Sequence, residues 1–390
     1  MLFSFAMMIL VSVVFAMIVR KVGLPNLLGY LLTGIILGPF VFNVIDTTTF
    51  QISSDIRQIA LMIILMRAGL NLQISDLKKV GSSALLMCFV PASFEILGLM
   101  ILAPIFLHLD LLNAAILGTV LAAVSPAVVV PLMLMDEGYG TKEGIPQLIM
   151  AGASMDDVYI IVLFTSLLTL AKSGEFNALS LLRIPTSILF GIVSGIVLGY
   201  VLCKLYRLLK LPTGIELASM FAIGMVLITI ERIMTGMVGF SGLLAIMALT
   251  ATIRHIKPEM ADKYSAVLAK LWQPAEIFLF ALVGASVRID YALSFGPVVL
   301  VVIILALVFR ILGVYLSIMK TKFNMKERIF TMGAYLPKAT VQAAIGGLAL
   351  EAGLASGELI LTAAVTAILF TAPLGAIFIS LTYRNFLQKV

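Results

Sequence analysis

The sequence ASMDDVY at residues 153–159 places two adjacent carboxylates, Asp156 and Asp157, inside an apolar segment that runs from Ile145 to Ala171. At a rise of about 1.5 Å per residue, the pair lies ~17 Å into this segment, near the middle of a bilayer core about 30 Å thick. A charge at that depth costs at least a few kcal/mol, so it is retained where it has a function. The stretch therefore predicts a membrane-embedded ion or proton site.

The composition predicts a protein with many membrane spans. The chain has 390 residues, of which 62% are hydrophobic and only 12% charged, too few to cover the surface of a soluble protein of this size. Cys88 and Cys203 both fall in apolar segments, and His108 and His255 lack metal-ligand spacing. Neither a disulfide framework nor a resident metal or cofactor is expected. With no nucleophile–base pair in the sequence, an enzyme is not expected either.

Thirteen apolar segments are predicted to cross the membrane as helices, and we number them spans 1 to 13. They cover approximately residues 2–19, 24–42, 56–73, 82–107, 112–135, 145–171, 185–206, 214–231, 238–254, 273–289, 295–319, 328–350 and 358–383. Arg20 and Lys21 follow span 1 rather than precede it, so this segment is predicted to be a retained helix and not a cleaved signal peptide.

Basic residues predict the orientation. Of the Lys and Arg residues outside the spans, 18 fall on one side of the membrane and 5 on the other. The positive-inside rule makes the side with 18 cytoplasmic, which leaves the N-terminus outside and the C-terminus inside. The net charge of +6 is thus explained without nucleic acid. We expect a plasma membrane, in particular a bacterial inner membrane.

An internal repeat is visible in the sequence. The motif FEILG at residues 94–98 recurs as FRILG at residues 309–313, and Gly69 and Gly284 are separated by the same 215 residues. Spans 1–6 therefore resemble spans 8–13. The six crossings of the first repeat return the chain to the side on which it started, and the linker helix, span 7, takes it to the opposite side. The second repeat therefore starts on the opposite side and is predicted to be inverted relative to the first. Inverted repeats are typical of secondary transporters.

This repeat predicts the domain organisation. The first repeat covers residues 1–171, a linker helix lies within 172–213, and the second repeat covers 214–390. The predicted fold is thus an all-α polytopic membrane protein of 13 transmembrane helices, with two inverted six-helix repeats joined by a linker helix.

Two spans are predicted to be broken at equivalent positions of the repeats. Span 5 contains SPAVVVP at 125–131, where Pro126 and Pro131 remove backbone donors. Span 12 contains Leu336-Pro337-Lys338-Ala339-Thr340. Interrupted helices in matching positions indicate a transporter's binding site, because unwound backbone is tolerated in a membrane only where protein or a water-filled cavity satisfies it.

The carboxylate pair predicts competition between a cation and a proton. Neighbours on a helix point about 100° apart, so one aspartate can face a cavity while the other faces a cation of the protein. Carboxylate, hydroxyl and carbonyl oxygens suit hard cations such as Na⁺ or Li⁺. A carboxylate that holds either a proton or a metal ion, but not both, provides exchange.

Three more ionisable side chains lie at the same predicted depth: Glu95 in span 4, Arg310 in span 11 and Lys338 in span 12. Arg310 is predicted to pair with Asp156 or with Glu95. Lys338 is predicted to offset the partial negative charge at a half-helix C-terminus.

The motifs resemble the cation:proton antiporter superfamily, and most closely the animal NHA-type sodium/proton exchangers and their bacterial relatives. NapA is a more distant relative with the same 13-helix plan. The likeness covers the whole membrane chain and rests on residues 125–131, 137–140, 144–146, 156–157 and 336–344.

The resemblance implies an NhaA/NapA-like fold in which two broken helices cross within a core domain of spans 4–6 and 11–13. This core would move like an elevator against a dimer domain of spans 1–3 and 8–10, in a homodimer. Asp157 would be the main ligand of cation and proton. Asp156 would pair with Arg310, and Ser125 and carbonyls of the break would line the site.

Arg310 departs from many electrogenic relatives, which carry Lys at this position. Arginine is effectively never deprotonated in proteins, so Arg310 cannot act as a second proton carrier. We therefore hypothesise electroneutral 1:1 exchange.

Other functions share part of this pattern. A K⁺/H⁺ antiporter of Kef type has the superfamily fold, but a cytosolic nucleotide-binding domain usually follows its last span, and this sequence ends shortly after span 13. A sodium-coupled organic-anion symporter also uses crossed broken helices, although the buried aspartates with Arg310 fit proton exchange better. A channel would lack strict coupling.

Overall fold

Helices form almost all of the regular structure that the computed structural model describes, which covers residues 1–72, 82–125, 139–140, 144–173, 183–234 and 239–389. Within these ranges the extended pairing is limited to an isolated bridge between Tyr139 and Lys389. Pro126 and Pro131, and with them most of the break predicted in span 5, lie outside the described residues.

The first part of the chain leads to the segment that carries the two aspartates. Its helices are α1 (Leu2–Lys21), α2 (Asn26–Leu37), α3 (Thr47–Gln51), α4 (Ser53–Asn71), α5 (Ser82–Leu107), α6 (Leu111–Ala122) and α7 (Ile145–Ser173). Asp156 and Asp157 lie near the middle of α7, which places the carboxylates well away from either helix end.

The second part of the chain contains the broken span. Its helices are α8 (Arg183–Leu209), α9 (Thr213–Met234), α10 (Gly242–Ile256), α11 (Pro258–Ala285), α12 (Ile289–Ile318), α13 (Met325–Ala334), α14 (Thr340–Ile345), α15 (Leu348–Glu351) and α16 (Gly357–Phe386). The chain leaves helical geometry between α13 and α14, at the segment predicted to be interrupted.

Eight helices in the described part of the chain are long and apolar enough to cross a membrane: α1, α5, α7, α8, α9, α11, α12 and α16. Three shorter apolar helices, α2, α6 and α10, accompany them. Apolar helices of this length are typical of an integral membrane protein.

α11 differs most from its predicted span, 273–289, because it begins at Pro258. Its first half is amphipathic: Ala261, Tyr264 and Leu268 are buried at helical spacing, whereas Lys263 and Lys270 are exposed. A search for continuous apolar runs misses such a half, because its charges interrupt the run although they occupy only one face.

The chain divides into two compact units. One unit comprises Met1–Arg57, Ser75–Ile160 and Ile277–Val390, and it contains every described residue of the predicted site. The other comprises Gln58–Ile74 and Ile161–Glu276. In this second unit, Gly191, Gly195 and Gly199 of α8 lie directly against α10, so the absence of side chains brings the two backbones close together.

Close packing of α5 on α12 brings Glu95 and Arg310 together in the first unit. A β-carbon at Gly313 would lie 2.7 Å from Cα of Pro91, and one at Gly98 would lie 2.6 Å from the ring of Phe309. Only glycine fits at either position without displacing the facing helix. The two FxILG motifs therefore meet face to face.

Candidate functional site

Arg310 is a fully buried cation that connects four elements of the fold. Its guanidinium donates hydrogen bonds to the carbonyl oxygen of Tyr335 at 2.7 Å, Oε2 of Glu95 at 2.8 Å, Oδ2 of Asp156 at 3.0 Å and the carbonyl oxygen of Ala122. The planar fork of arginine suits this arrangement, because its donors diverge in fixed directions. Both pairings predicted for Arg310 are present at once.

Lys338 shares a carboxylate with Arg310. Its ammonium Nζ donates to Oε2 of Glu95 at 2.6 Å, the same oxygen that accepts from Arg310. The side chain thus forms an ion pair, and its predicted role at a helix C-terminus stays a prediction. The backbone N–H of Lys338, freed by the helix break, donates to Oγ1 of Thr371 on α16 at 2.9 Å. The side chain is completely buried, as an ion pair in a membrane core requires.

The break between α13 and α14 is satisfied by specific partners. Pro337 has no N–H to donate, and its carbonyl accepts from the N–H of Ser125 at 2.8 Å. Gln342 uses both ends of its amide: Oε1 accepts from the N–H of Ala339, and Nε2 donates to the carbonyl of Ala123, each at 2.8 Å. Non-helical backbone is therefore stabilised here by hydrogen bonds to other parts of the protein.

The chain beyond α6 completes this arrangement. Ala123 is extended, with ψ of 139°, which turns the following residues out of the helix. The N–H of Val124 donates to Oδ2 of Asp156 at 3.0 Å, and the hydroxyls of Ser125 and Thr340 lie 3.4 Å apart. Two hydroxyl oxygens, one from each predicted break, thus meet within the site.

The aspartates differ in their surroundings. Oδ2 of Asp156 accepts from Arg310 and Val124, whereas its Oδ1 is buried and has no hydrogen-bond partner in the described part of the chain. Oδ1 of Asp157 is likewise buried and without a partner there, and 9% of the Asp157 side chain is exposed. An unsatisfied buried carboxylate oxygen is costly, so it favours binding of a cation or a proton.

The structure brings most of the predicted residues together. Glu95, Asp156, Arg310 and Lys338 form one ion-pair cluster, and Asp157 is the neighbour of Asp156 on α7. Among the described residues, no group of three or more His, Cys, Asp or Glu side chains is arranged to hold a metal ion.

Sequence reasoning missed three contributors: the carbonyl of Tyr335, the amide of Gln342 and the hydroxyl of Thr371. Gln342 could have been identified, because it is a polar residue in an otherwise apolar stretch directly after the predicted break. Thr371 could not, since threonines are frequent in apolar helices and often bond to their own backbone.

Comparison with known families identifies the class of protein. Residues 7–384 match the family model described as sodium/hydrogen exchanger, transmembrane.

The chain belongs to the sodium/hydrogen exchanger family.

Relatives of this exchanger include human sodium/hydrogen exchanger 9B2, which is 35% identical over 383 residues, with 94% of this chain and 70% of the relative covered. Human sodium/hydrogen exchanger 9B1 is 36% identical over 383 residues, with 94% and 73% covered. The structure of the sodium proton antiporter MjNhaP1 from Methanocaldococcus jannaschii superposes with a TM-score of 0.83 at 19% identity and covers 98% of this chain and 97% of MjNhaP1. That likeness shows a shared fold.

These findings confirm the prediction of a cation:proton antiporter related to the NHA type and of a transmembrane protein. The all-helical polytopic fold is also confirmed. The chain is therefore an integral membrane protein of the sodium/hydrogen exchanger family, which is a family of transporters.

Replacement of Arg310 by lysine should destabilise the exchanger by roughly 2–4 kcal/mol, because a lysine cannot reach acceptors on four elements and leaves buried groups unpaired. Arg288→Lys is the matched control, since Arg288 is 45% exposed and pairs with Asp290 and Glu358 at the surface. Thermal unfolding in detergent measures both. Equal losses in the two variants would contradict the structural role given to Arg310.

Proposed function

We propose that this exchanger moves one Na⁺ or Li⁺ against one H⁺, and that Asp157 binds the cation and the proton alternately. The observation that carries the proposal is the buried Oδ1 of Asp157, which has no hydrogen-bond partner among the described residues and lies beside a cluster of paired charges. A proton or a monovalent cation would satisfy this oxygen, and each would exclude the other.

Charge balance supports the 1:1 stoichiometry. The site contains two cations, Arg310 and Lys338, and three carboxylates, so its formal charge is −1 when Asp157 is ionised. One bound Na⁺ or one bound proton restores neutrality. Arg310 keeps its proton throughout. In this proposal the ammonium of Lys338 stays paired with Glu95. The loaded site would then carry no net charge in either direction across the membrane.

The available oxygens support a small, hard cation. Oδ1 of Asp156 is also free of partners in the described part of the chain, and the hydroxyls of Ser125 and Thr340 lie close together. Carboxylate and hydroxyl oxygens are ligands that Na⁺ and Li⁺ prefer. Asp157, Asp156 and Ser125 are therefore the proposed cation ligands, and Glu95, Arg310 and Lys338 the supporting ion pairs.

Reciprocal packing supports the proposed inverted repeats in the first unit. Gly98 faces Phe309, and Gly313 faces Phe94, so each FxILG motif places its glycine against the phenylalanine of the other. Glu95 pairs with Arg310, and both occupy the same position of the repeat, 215 residues apart. Such reciprocity is expected when two equivalent segments meet at a two-fold axis in the membrane plane.

The hydroxyl groups that meet between the two breaks also come from equivalent positions of the repeats, because Ser125 and Thr340 are 215 residues apart. We extend this equivalence of the two repeats to thirteen spans, with six in each repeat and the linker helix between them.

The proposed orientation has the N-terminus outside the membrane. Labelling of introduced cysteines from one side of the membrane tests this orientation.

An elevator motion is the proposed route of transport. The core of spans 4–6 and 11–13 would slide against spans 1–3 and 8–10, and the latter would form the interface of a homodimer. In this division the ion pair of Arg57 on α4 with Glu351 on α15 joins the two domains, so it must break in each cycle. The mass of the purified protein in detergent tests the homodimer.

Substitution of Asp157 by asparagine should abolish exchange, because the amide cannot take up a proton or offer a charged ligand. In proteoliposomes with an imposed pH gradient, Na⁺ or Li⁺ should collapse the gradient with the parent protein and not with Asp157→Asn. Asp110→Asn is the control, because Asp110 caps α6 and asparagine caps a helix equally well.

Two outcomes would contradict this prediction. A response to K⁺ alone would favour the K⁺/H⁺ antiporter of Kef type. A folded parent protein in which no cation dissipates the gradient would remove proton coupling and favour a sodium-coupled organic-anion symporter.

A cleavable cross-link between cysteines in the double variant Arg57→Cys, Glu351→Cys should stop transport, and its cleavage should restore it. The control pair is Ser93→Cys with Tyr159→Cys, whose hydroxyls lie 2.8 Å apart within the proposed core. That cross-link should leave transport unchanged. Undiminished transport by the fully cross-linked Arg57–Glu351 pair would exclude the proposed motion.

A further inference from the structure

An apolar groove of about 410 Å³ lies between α12, α13 and α16, outside the ion-pair cluster. Leu307, Ile329, Leu336, Leu374 and Phe378 are among its lining residues, and the lining contains almost no polar surface. Ile329 and Leu374 are 40% and 50% exposed, so the groove opens onto the surface of this unit.

Two glycines shape this groove. A β-carbon at Gly333 would collide with the ring of Phe378, and one at Gly375 would collide with the ring of Pro337. Helices α13 and α16 therefore pack closely beneath the groove while leaving its volume empty of side chains. Water has no polar partner in such a groove, whereas a hydrocarbon chain fits.

A basic cluster lies at one end of the groove. Lys320, Lys322 and Lys326 are exposed in the turn between α12 and the start of α13, and none of them forms an ion pair with another described residue. Glu327, the acidic residue of this turn, is buried and caps α13 by accepting from the N–H of Asn324. The charge of the three lysines is therefore available to an anionic partner.

The basic cluster and the groove are linked by α13. Ile329 follows Lys326 by about one turn of this helix, and Gly333, which also lines the groove, lies four residues further along, about 6 Å at helical rise. The groove thus runs from the lysines into the depth expected for acyl chains. The lysines also belong to the predicted cytoplasmic side, where anionic lipids attract basic residues.

We propose that this groove binds one anionic membrane phospholipid, with an acyl chain between α12, α13 and α16 and the phosphate on Lys320, Lys322 and Lys326. The inner end of the groove is formed by Leu336 and Thr371. Thr371 accepts a hydrogen bond from the backbone N–H of Lys338. The acyl chain would therefore pack against a residue that stabilises the backbone at the helix break.

Photo-labelling tests the acyl-chain position. The full chain is placed in nanodiscs with phosphatidylglycerol that carries a diazirine on one acyl chain, or with phosphatidylcholine carrying the same group, without an ion gradient. We expect phosphatidylglycerol to label peptides of α13 and α16 that line the groove. Leu374→Trp fills the groove and should reduce this labelling at least about fivefold, which corresponds to one lost buried anchor.

Leu381→Trp is the matched control, because Leu381 lies two turns further along α16, is 69% exposed and does not line the groove. The Leu381→Trp variant should be photo-labelled as strongly as the parent protein. Equal labelling of the parent and Leu374→Trp would overturn the proposed position of the acyl chain.

Charge removal tests the headgroup. Replacement of Lys320, Lys322 and Lys326 by glutamine should reduce the preference for phosphatidylglycerol over phosphatidylcholine by about tenfold or more, since each basic residue near a membrane surface contributes to anionic lipid binding. The control replaces three other exposed lysines of the predicted cytoplasmic side, Lys257, Lys263 and Lys270. Equal labelling by both lipids, or equal effects of the two triple variants, would overturn the proposal. Because no transport is measured, this result is independent of the proposed exchange mechanism.

Discussion

The buried guanidinium of Arg310 is the interaction on which the site depends. A positive charge in the membrane core is tolerated only when its donors are paired, and here they are paired with groups from α5, α6, α7 and the end of α13. These elements are thereby fixed relative to one another. Arg310 and Lys338 pair with Glu95 and Asp156, and no ion pair of Asp157 is found in the described part of the chain. The proposed role of Asp157 in transport rests on this difference.

The second constraint is the backbone at the helix break. Unpaired N–H and carbonyl groups are costly in a membrane core, and Gln342, Ser125 and Thr371 satisfy them with fixed geometry. The break is therefore a rigid part of the site. Its support by Thr371 also connects it to the apolar groove proposed to hold a phospholipid.

The sequence predicts the depth of a residue within its span, but not which residues of other helices lie beside it. Depth along a span is linear, so Asp157, Arg310 and Lys338 could be placed at one level, and the missing donor of Pro337 predicted the break. Contacts between different helices cannot be derived from positions along the chain. The pairing of Lys338 with Glu95 depends on how helices rotate and pack, and no pattern in the sequence specifies it. The broken end of span 5 beyond Ser125 lies outside the described residues, so that part of the site stays a prediction.

The measurement that tests the central claim most directly is the stoichiometry of exchange under clamped voltage. The parent protein is reconstituted, and the Na⁺ gradient that just cancels net flux is determined at several fixed pH gradients. In the proposed mechanism the loaded site is neutral with either substrate, so the balancing Na⁺ gradient should equal the proton gradient at every voltage. Transfer of a second proton would move one net charge, worth roughly 2.3 kcal/mol per 100 mV, and would shift the balancing gradient about 50-fold over that range. Such a shift would contradict the account of Asp157 as the one free charge.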